Sequence, residues 1–311
     1  MTTDTTDRPR LGASGLSQAD WLDRLARIGR DHGFFERLGP EHLALFVQEG
    51  NTLVVSFDRA ARVHAEEPDG LPPGFEAVRK REWSLLSILA LGDPWFRSAD
   101  LVAFFDRLAA DGFFDSFAEV VFLGFGPASG HAACAYSSAA PGASVLAAAP
   151  AATLDPELAG FDRRFLRDRR RDFSRYGDAA RLIARASQAV ILYDPTEPVT
   201  AAHAAQFRAD AVQLVPLRFT GRAPHRLIAS GRLLTPLLRA LARKRLTRAR
   251  AAAMIRPVRR ADPDYLWHLA GLAQAHGQFD RARRVAEYAA DITGEARFTE
   301  LAERLDPGAG S

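Results

Sequence analysis

The stretch that most restricts what this chain can fold into runs from Glu119 to Tyr136, EVVFLGFGPASGHAACAY. It opens on an apolar, β-branched run, Val120-Val121-Phe122-Leu123. It passes through a glycine-rich corner, Gly124 to Gly130, and continues as an alanine-rich segment of high helix propensity, His131 to Tyr136. A buried strand that turns sharply into a helix accommodates all three compositions. Such a corner serves one of two chemistries. It presents a serine at the top of a sheet, or it cradles a phosphate on the helix N-terminus. The second reading is the weaker one here. A dinucleotide fingerprint starting at Gly124-x-Gly126 finds its third glycine, Gly130, one place late. The next apolar run also ends in Ala-Ala-Pro, with no acid for a ribose.

The rest of the chain alternates around that corner. Ser17 is an N-cap signal, and Trp21, Leu22, Leu25 and Ile28 recur at helical spacing up to Gly33. Residues 1–16 hold little to bury and are expected to be disordered. Leu43–Gln48 and Thr52–Phe57 read as strands joined by Glu49-Gly50-Asn51, which is hairpin punctuation. Asp58 to Arg62 then reads as a polar loop. Ser84–Leu91 is a third apolar run, and Asp100–Leu108 a helix with Leu101, Phe104, Phe105 and Leu108 on one face. After the corner come a strand at Ser144–Ala149, an irregular arginine-rich insertion from Pro150 to Gly177, and a helix at Asp178–Ser187. A strand at Ala189–Tyr193, a helix at Val199–Arg208, a strand at Val212–Phe219 and a helix at Gly231–Arg245 follow. About seven or eight candidate strands alternate with helices, which implies a mostly parallel sheet covered on both faces.

From Asp262 the text is purely helical. Leu266 to Leu272 and Gly277 to Ala282 resemble one tetratricopeptide repeat, with Ala270, Gly277 and Ala282 at its small positions. An ordinary helical hairpin closing the fold reads equally well. A single repeat cannot bury its own face, so the stripe Leu266, Leu269, Leu272 and Phe279 is expected to dock on the main domain or on a protein partner. The expected organisation is a tail and helix over 1–37, an α/β domain over 38–250 and a helical extension over 251–311.

Composition limits the function classes. Net charge is +3, and only Lys80 and Lys244 are lysines among 41 basic residues. That reads as arginine in place of lysine rather than as a nucleic-acid footprint. Cys134 is the one cysteine, so an intrachain disulfide and a cysteine metal cluster are both excluded. The eight histidines show no metal-ligand spacing, and no cofactor is expected. The N-terminus has no basic-then-apolar signal and no run is long enough to span a bilayer, so a cytoplasmic protein without membrane contact is expected.

Three residues stand at strand ends in a telling order. Ser129 lies in the corner, Asp194 follows Val190-Ile191-Leu192-Tyr193, and His225 follows the strand ending near Phe219. A serine hydroxyl needs an imidazole to take its proton, and the imidazole needs a carboxylate to fix its tautomer. The order Ser, Asp, His at the carboxyl edge resembles that of the α/β-hydrolases, over about residues 40–245. In the family's elbow, G-x-S-x-G, the match to Gly126-Pro127-Ala128-Ser129-Gly130 puts Ala128 at the nucleophile position and shifts Ser129 by one. More narrowly, the run from Gly126 to Pro156 resembles a group of uncharacterised alphaproteobacterial proteins, some of which carry the name phosphoadenosine phosphosulfate reductase. This chain has neither the S-G-G-x-D-S loop nor the C-terminal cysteine of such reductases.

The superfamily resemblance implies a serine esterase or thioesterase with Ser129 as nucleophile, His225 as base and Asp194 as orienter. Gly126, Gly130 and the loop at Asp58 would form the elbow and oxyanion hole. The insertion falls where such enzymes carry a lid, and its clustered arginines, Arg163 and Arg164 foremost, suit a small anionic ligand. The other reading is a non-catalytic scaffold of the same fold, with the helical tail recruiting a partner. Each residue also has a plain structural role open to it: Ser129 as a cap, Asp194 as a turn former before Pro195, and His131 and Cys134 as buried packing.

Overall fold

The computed structural model describes residue 12 and residues 14–93, 95–229 and 231–306. Most of the stretch 1–16 expected to be disordered therefore lies outside the described residues. Among those described, eight strands form one sheet: β1 (Gly33–Leu38), β2 (His42–Val47), β3 (Thr52–Arg59), β4 (Ser84–Ala90), β5 (Glu119–Phe125), β6 (Ser144–Ala148), β7 (Gln188–Tyr193) and β8 (Val212–Pro216). Their order is β1-β2-β4-β3-β5-β6-β7-β8. β2 is antiparallel to both its neighbours, and every pair from β4 to β8 is parallel.

Two expectations about the leading strands are corrected by this order. β2 and β3 do not form a hairpin, because β4 lies between them, antiparallel to β2 and parallel to β3. The true hairpin joins β2 to β1, a strand hidden behind the end of the first helix, with Leu38 opposite His42 across Gly39 at φ 61°. Asp58 and Arg59 extend β3 rather than opening a loop. A helix, α2 (Ala60–Glu66), follows at once.

Helices cover both faces. On one side lie α4 (Ala99–Ala110) and α5 (Pro127–Tyr136), packed on Val55, Phe57, Phe122 and Val145. On the other lie α1 (Gln18–His32), α2 and α3 (Phe75–Arg81), over Val54, Leu85, Val121 and Leu146. The alternation of inward sides along β3 and β5 is the period of two expected of strands covered twice. Ser17 and Ser98 cap α1 and α4 by accepting from Asp20 N and Leu101 N. After β6 come short helices α6 (Pro156–Ala159), α7 (Ala179–Leu182) and α8 (Pro198–Ala204), then α9 (Arg226–Ala229), α10 (Gly231–Ala242) and α11 (Arg248–Ala261). None of the described helices is long and apolar enough to cross a membrane.

The C-terminal extension packs mainly on itself. α12 (Pro263–Ala275), α13 (Phe279–Thr293) and α14 (Ala296–Arg304) bury Leu266 and Ala270 against Ala286, Ala289, Phe298 and Leu301. Phe279, expected in the docking stripe, is 56% exposed. α11 buries Ala251 and Ile255 in the core of the sheet, so the self-packed helices begin after it rather than at residue 251.

One buried guanidinium anchors the end of the insertion between β6 and α7. Arg97 is buried and donates to the carbonyls of Asp172 (2.9 Å), Tyr176 (2.8 Å) and Arg175, with Phe173 under its face. Removing it would strand three carbonyls. We expect Arg97→Ala to lower stability by about 3 kcal/mol. In limited trypsinolysis, residues 163–171 should be cut before the rest of the domain.

Candidate active site

The corner forms where β5 leaves its ladder. Phe125 still pairs with Ala148, and Gly126 N–H donates to Ala148 O at 2.8 Å, so the strand runs as far as the sheet can hold it. Gly126 then turns the chain with φ 84° and ψ 178°, a region open essentially to glycine alone. Pro127 begins α5 directly after it. The apex of the strand–turn–helix corner is therefore Gly126. The pentapeptide centred on it is Gly124-Phe125-Gly126-Pro127-Ala128, two residues earlier than the frame expected from sequence.

That register puts Gly126 and Pro127 at the turn. A side chain at the apex would point into open space, with no atom within 4 Å of its Cβ, but the residue there is glycine. An oxyanion hole in this fold takes the backbone N–H of the residue after the nucleophile. That residue is Pro127, which has none. The N–H of Gly130, the expected donor, is used within α5 on Gly126 O at 2.9 Å. Gly130 is there for space, since a Cβ on it would come within 3.0 Å of Pro150 Cα.

The sequence-derived constellation is brought to one edge of the sheet but not joined. Ser129 lies in the first turn of α5, buried, and no hydrogen bond links it to His225. Asp194 Oδ1 accepts from Thr196 N (2.8 Å) and Thr196 Oγ1 (2.6 Å), and Oδ2 from Gly221 N (2.7 Å). It ties the loop after β7 to the loop after β8 and leaves His225 alone. The His225 ring stacks on Phe125 at 5.6 Å and 11°, and its Nδ1 is buried without a hydrogen-bond partner. Burial and the nearby Arg62 and Arg226 push its pKa down to about 4.

At Asp58 the structure places an anion where an oxyanion hole would need donors. Its carboxylate accepts from Arg59 N (2.7 Å) and takes both arms of Arg62, which also reaches Glu67 at 2.7 Å. Burial of Glu67 raises its pKa despite that arginine. Side chains fill this side of the corner. On the other side Ala128 packs with Trp95, Leu154, Phe165 and Phe173 from the insertion and its approach.

A second buried cluster was not legible in the sequence. Ala152 N–H donates to His203 Nδ1 (3.2 Å), so Nε2 carries the proton and donates to Asp162 Oδ2 (3.0 Å). Arg164 grips both oxygens of the same carboxylate at 2.9 and 2.7 Å. Although burial opposes ionisation, His203 and Arg164 hold the Asp162 carboxyl well below the usual range. Arg164 is thus committed to structure, whereas Arg163 is exposed and free of ion pairs among the described residues. The only sequence signal was Phe161-Asp162 beside a lone histidine forty residues on, too common to single out.

The strand order, the glycine corner after β5 and the loops after β7 and β8 define an α/β-hydrolase-like fold. No family model matches the chain, and no curated protein matches it. Among solved structures it is similar to an arylesterase at 13% identity and TM-score 0.41, covering 73% of this chain and 91% of that one. It is also similar to Est1E from Butyrivibrio proteoclasticus at 11% identity and TM-score 0.43, covering 68% and 98%. A third is the capsule O-acetyltransferase of Neisseria meningitidis serogroup A, at 10% identity and TM-score 0.43, covering 63% and 92%.

Buried histidines set an acid limit on this core. His42, His131 and His225 are each lowered to about 4, burial being the largest cause, against about 6.5 in the unfolded chain. The unfolded state then binds more protons between those values, so stability is full above about pH 6.5 and falls as pH drops towards 4. Denaturant titrations across that window should show the fall. His225→Asn should flatten the slope by roughly one proton.

Proposed function

We propose that this chain is a non-catalytic α/β-hydrolase-like protein, in which the fold serves as a binding scaffold. The observation that carries the reading is the corner itself. Glycine stands at the apex where the fold presents a nucleophile, and proline follows where it supplies an oxyanion donor. Either loss alone would cost orders of magnitude in rate, and an unoriented imidazole compounds both. Esterase or thioesterase chemistry through Ser129, His225 and Asp194 is not favoured. The hydroxyl is in a helix turn, and the carboxylate is occupied by Thr196 and Gly221.

The scaffold's partner is a protein that docks on the helical extension. Tyr288 and Ile292, four residues apart on one face of α13, stand exposed among the described residues, as do Phe279 and Trp267 elsewhere on the extension. A small anionic ligand at the insertion would meet Arg163, Arg167 and Arg170, which are exposed and carry no ion pair among the described residues.

A fluorophosphonate probe tests the reading. The folded protein should show no covalent labelling by intact mass. Its p-nitrophenyl acetate turnover should match that of Ser129→Ala. Labelling that disappears in Ser129→Ala would establish the enzyme instead. Gly126→Ser should fold, at a cost of about 1–2 kcal/mol for a non-glycine residue at that φ, and remain unlabelled.

A further inference from the structure

At the opposite edge of the sheet, where strands begin, two adjoining cavities of about 310 and 260 Å³ open between α3, α10 and α11. The first is lined by Arg81, Arg239, Arg243, Arg245, Arg250 and Met254. The second shares Arg81, Arg239 and Arg243 and adds Trp83, Thr52 and Glu119. All five guanidiniums are on exposed residues. Among the described residues none of them makes an ion pair or a side-chain hydrogen bond. This differs from the insertion, where Arg164, Arg169, Arg171 and Arg175 are all engaged.

Local structure accounts for part of the cluster only. Arg81 ends α3 and Arg239 lies in the last turn of α10, where positive charge complements the helix dipole. Arg250 lies in the first turn of α11, which holds no acid, and a cation there opposes the dipole. Gathering five like charges around one concavity opposes folding further. A bound polyanion would relieve both. The planar fork of arginine suits phosphate oxygens bidentately. The neighbouring cavity has the parts for a base: the half-buried Trp83 ring for stacking, and the Thr52 hydroxyl and Glu119 carboxylate for ring-edge hydrogen bonds. Lys244, 3.8 Å from Glu119, keeps that carboxylate from standing against the phosphates as a bare charge.

We propose that this groove binds a nucleoside di- or triphosphate, with the phosphates among Arg239, Arg243, Arg245 and Arg250 and the base against Trp83. The site goes beyond the scaffold reading and does not depend on it, since it lies at the sheet edge away from Gly126. The test is isothermal titration of the full chain at fixed ionic strength with ATP, ADP, inorganic pyrophosphate and adenosine. ATP should saturate a single site and bind more tightly than either pyrophosphate or adenosine. Arg243→Gln and Arg250→Gln, both exposed, should each weaken ATP roughly tenfold, as loss of a charged hydrogen bond does. Arg163→Gln, on the distant insertion, should leave the affinity unchanged. Four results would overturn the proposal: no saturable ATP binding, pyrophosphate binding as tightly as ATP, an equal loss in Arg163→Gln, or a single-stranded oligonucleotide that outcompetes ATP. The last would make the groove a nucleic-acid surface.

Discussion

The rest of the fold depends on how closely α5 approaches β5. Gly124 has no room for a side chain, since a Cβ would lie 2.0 Å from Ser129 O and 2.9 Å from Ala133 Cβ. That contact lets the helix lie on the middle of the sheet with Ala132, Ala133, Cys134 and Ala135 fully buried. Small residues are needed along the whole helix face, because the interior is packed at the density of a solid. Tyr136 then extends the contact outward, stacking with Phe57 and Tyr176, packing tilted against Phe105 and donating to Phe96 O at 2.8 Å. A tight corner is the geometric price of such a close approach, and Gly126 provides it.

In an enzyme of this fold the same corner is strained so that a nucleophile stands clear of the sheet. Here Gly126 stands at the turn of the corner and Pro127 follows it. The carboxylate on the loop after β7 fastens two loops, the histidine on the loop after β8 stacks on an aromatic ring, and an ion cluster of Asp58, Arg62 and Glu67 takes the end of β3. Each is a stabilising contact made at the carboxyl edge of the sheet.

The insertion after β6 follows the same pattern. Of its arginines, Arg164, Arg169, Arg171 and Arg175 hold the chain in place. Buried Arg97 reaches in from before α4, and buried Asp162 reaches back to His203 on α8. Charged groups taken from water need partners, and these have them. Arg163, Arg167 and Arg170 of the insertion carry no ion pair among the described residues, and five further arginines without one line the cavities at the other sheet edge, beside Trp83.

What the sequence by itself determined is the succession of elements. Strand, glycine corner and alanine-rich helix follow from residue types whose preferences act within a turn or two, as does the cap at Ser17. The carboxyl-edge placement of Asp194 and His225 was legible for the same reason, since each follows an apolar run that could only be a strand. Tertiary structure decided the rest. Which glycine becomes the apex is set by how far β5 stays paired with β6, and pairing to Ala148 carries the strand through Phe125. The insertion of β4 between β2 and β3 depends on contacts far apart in the chain, so a local turn signal at Gly50 could not reveal it. Whether Asp194 meets His225 or Gly221 is a matter of a few ångströms between two loops, and no spacing in the sequence encodes that distance.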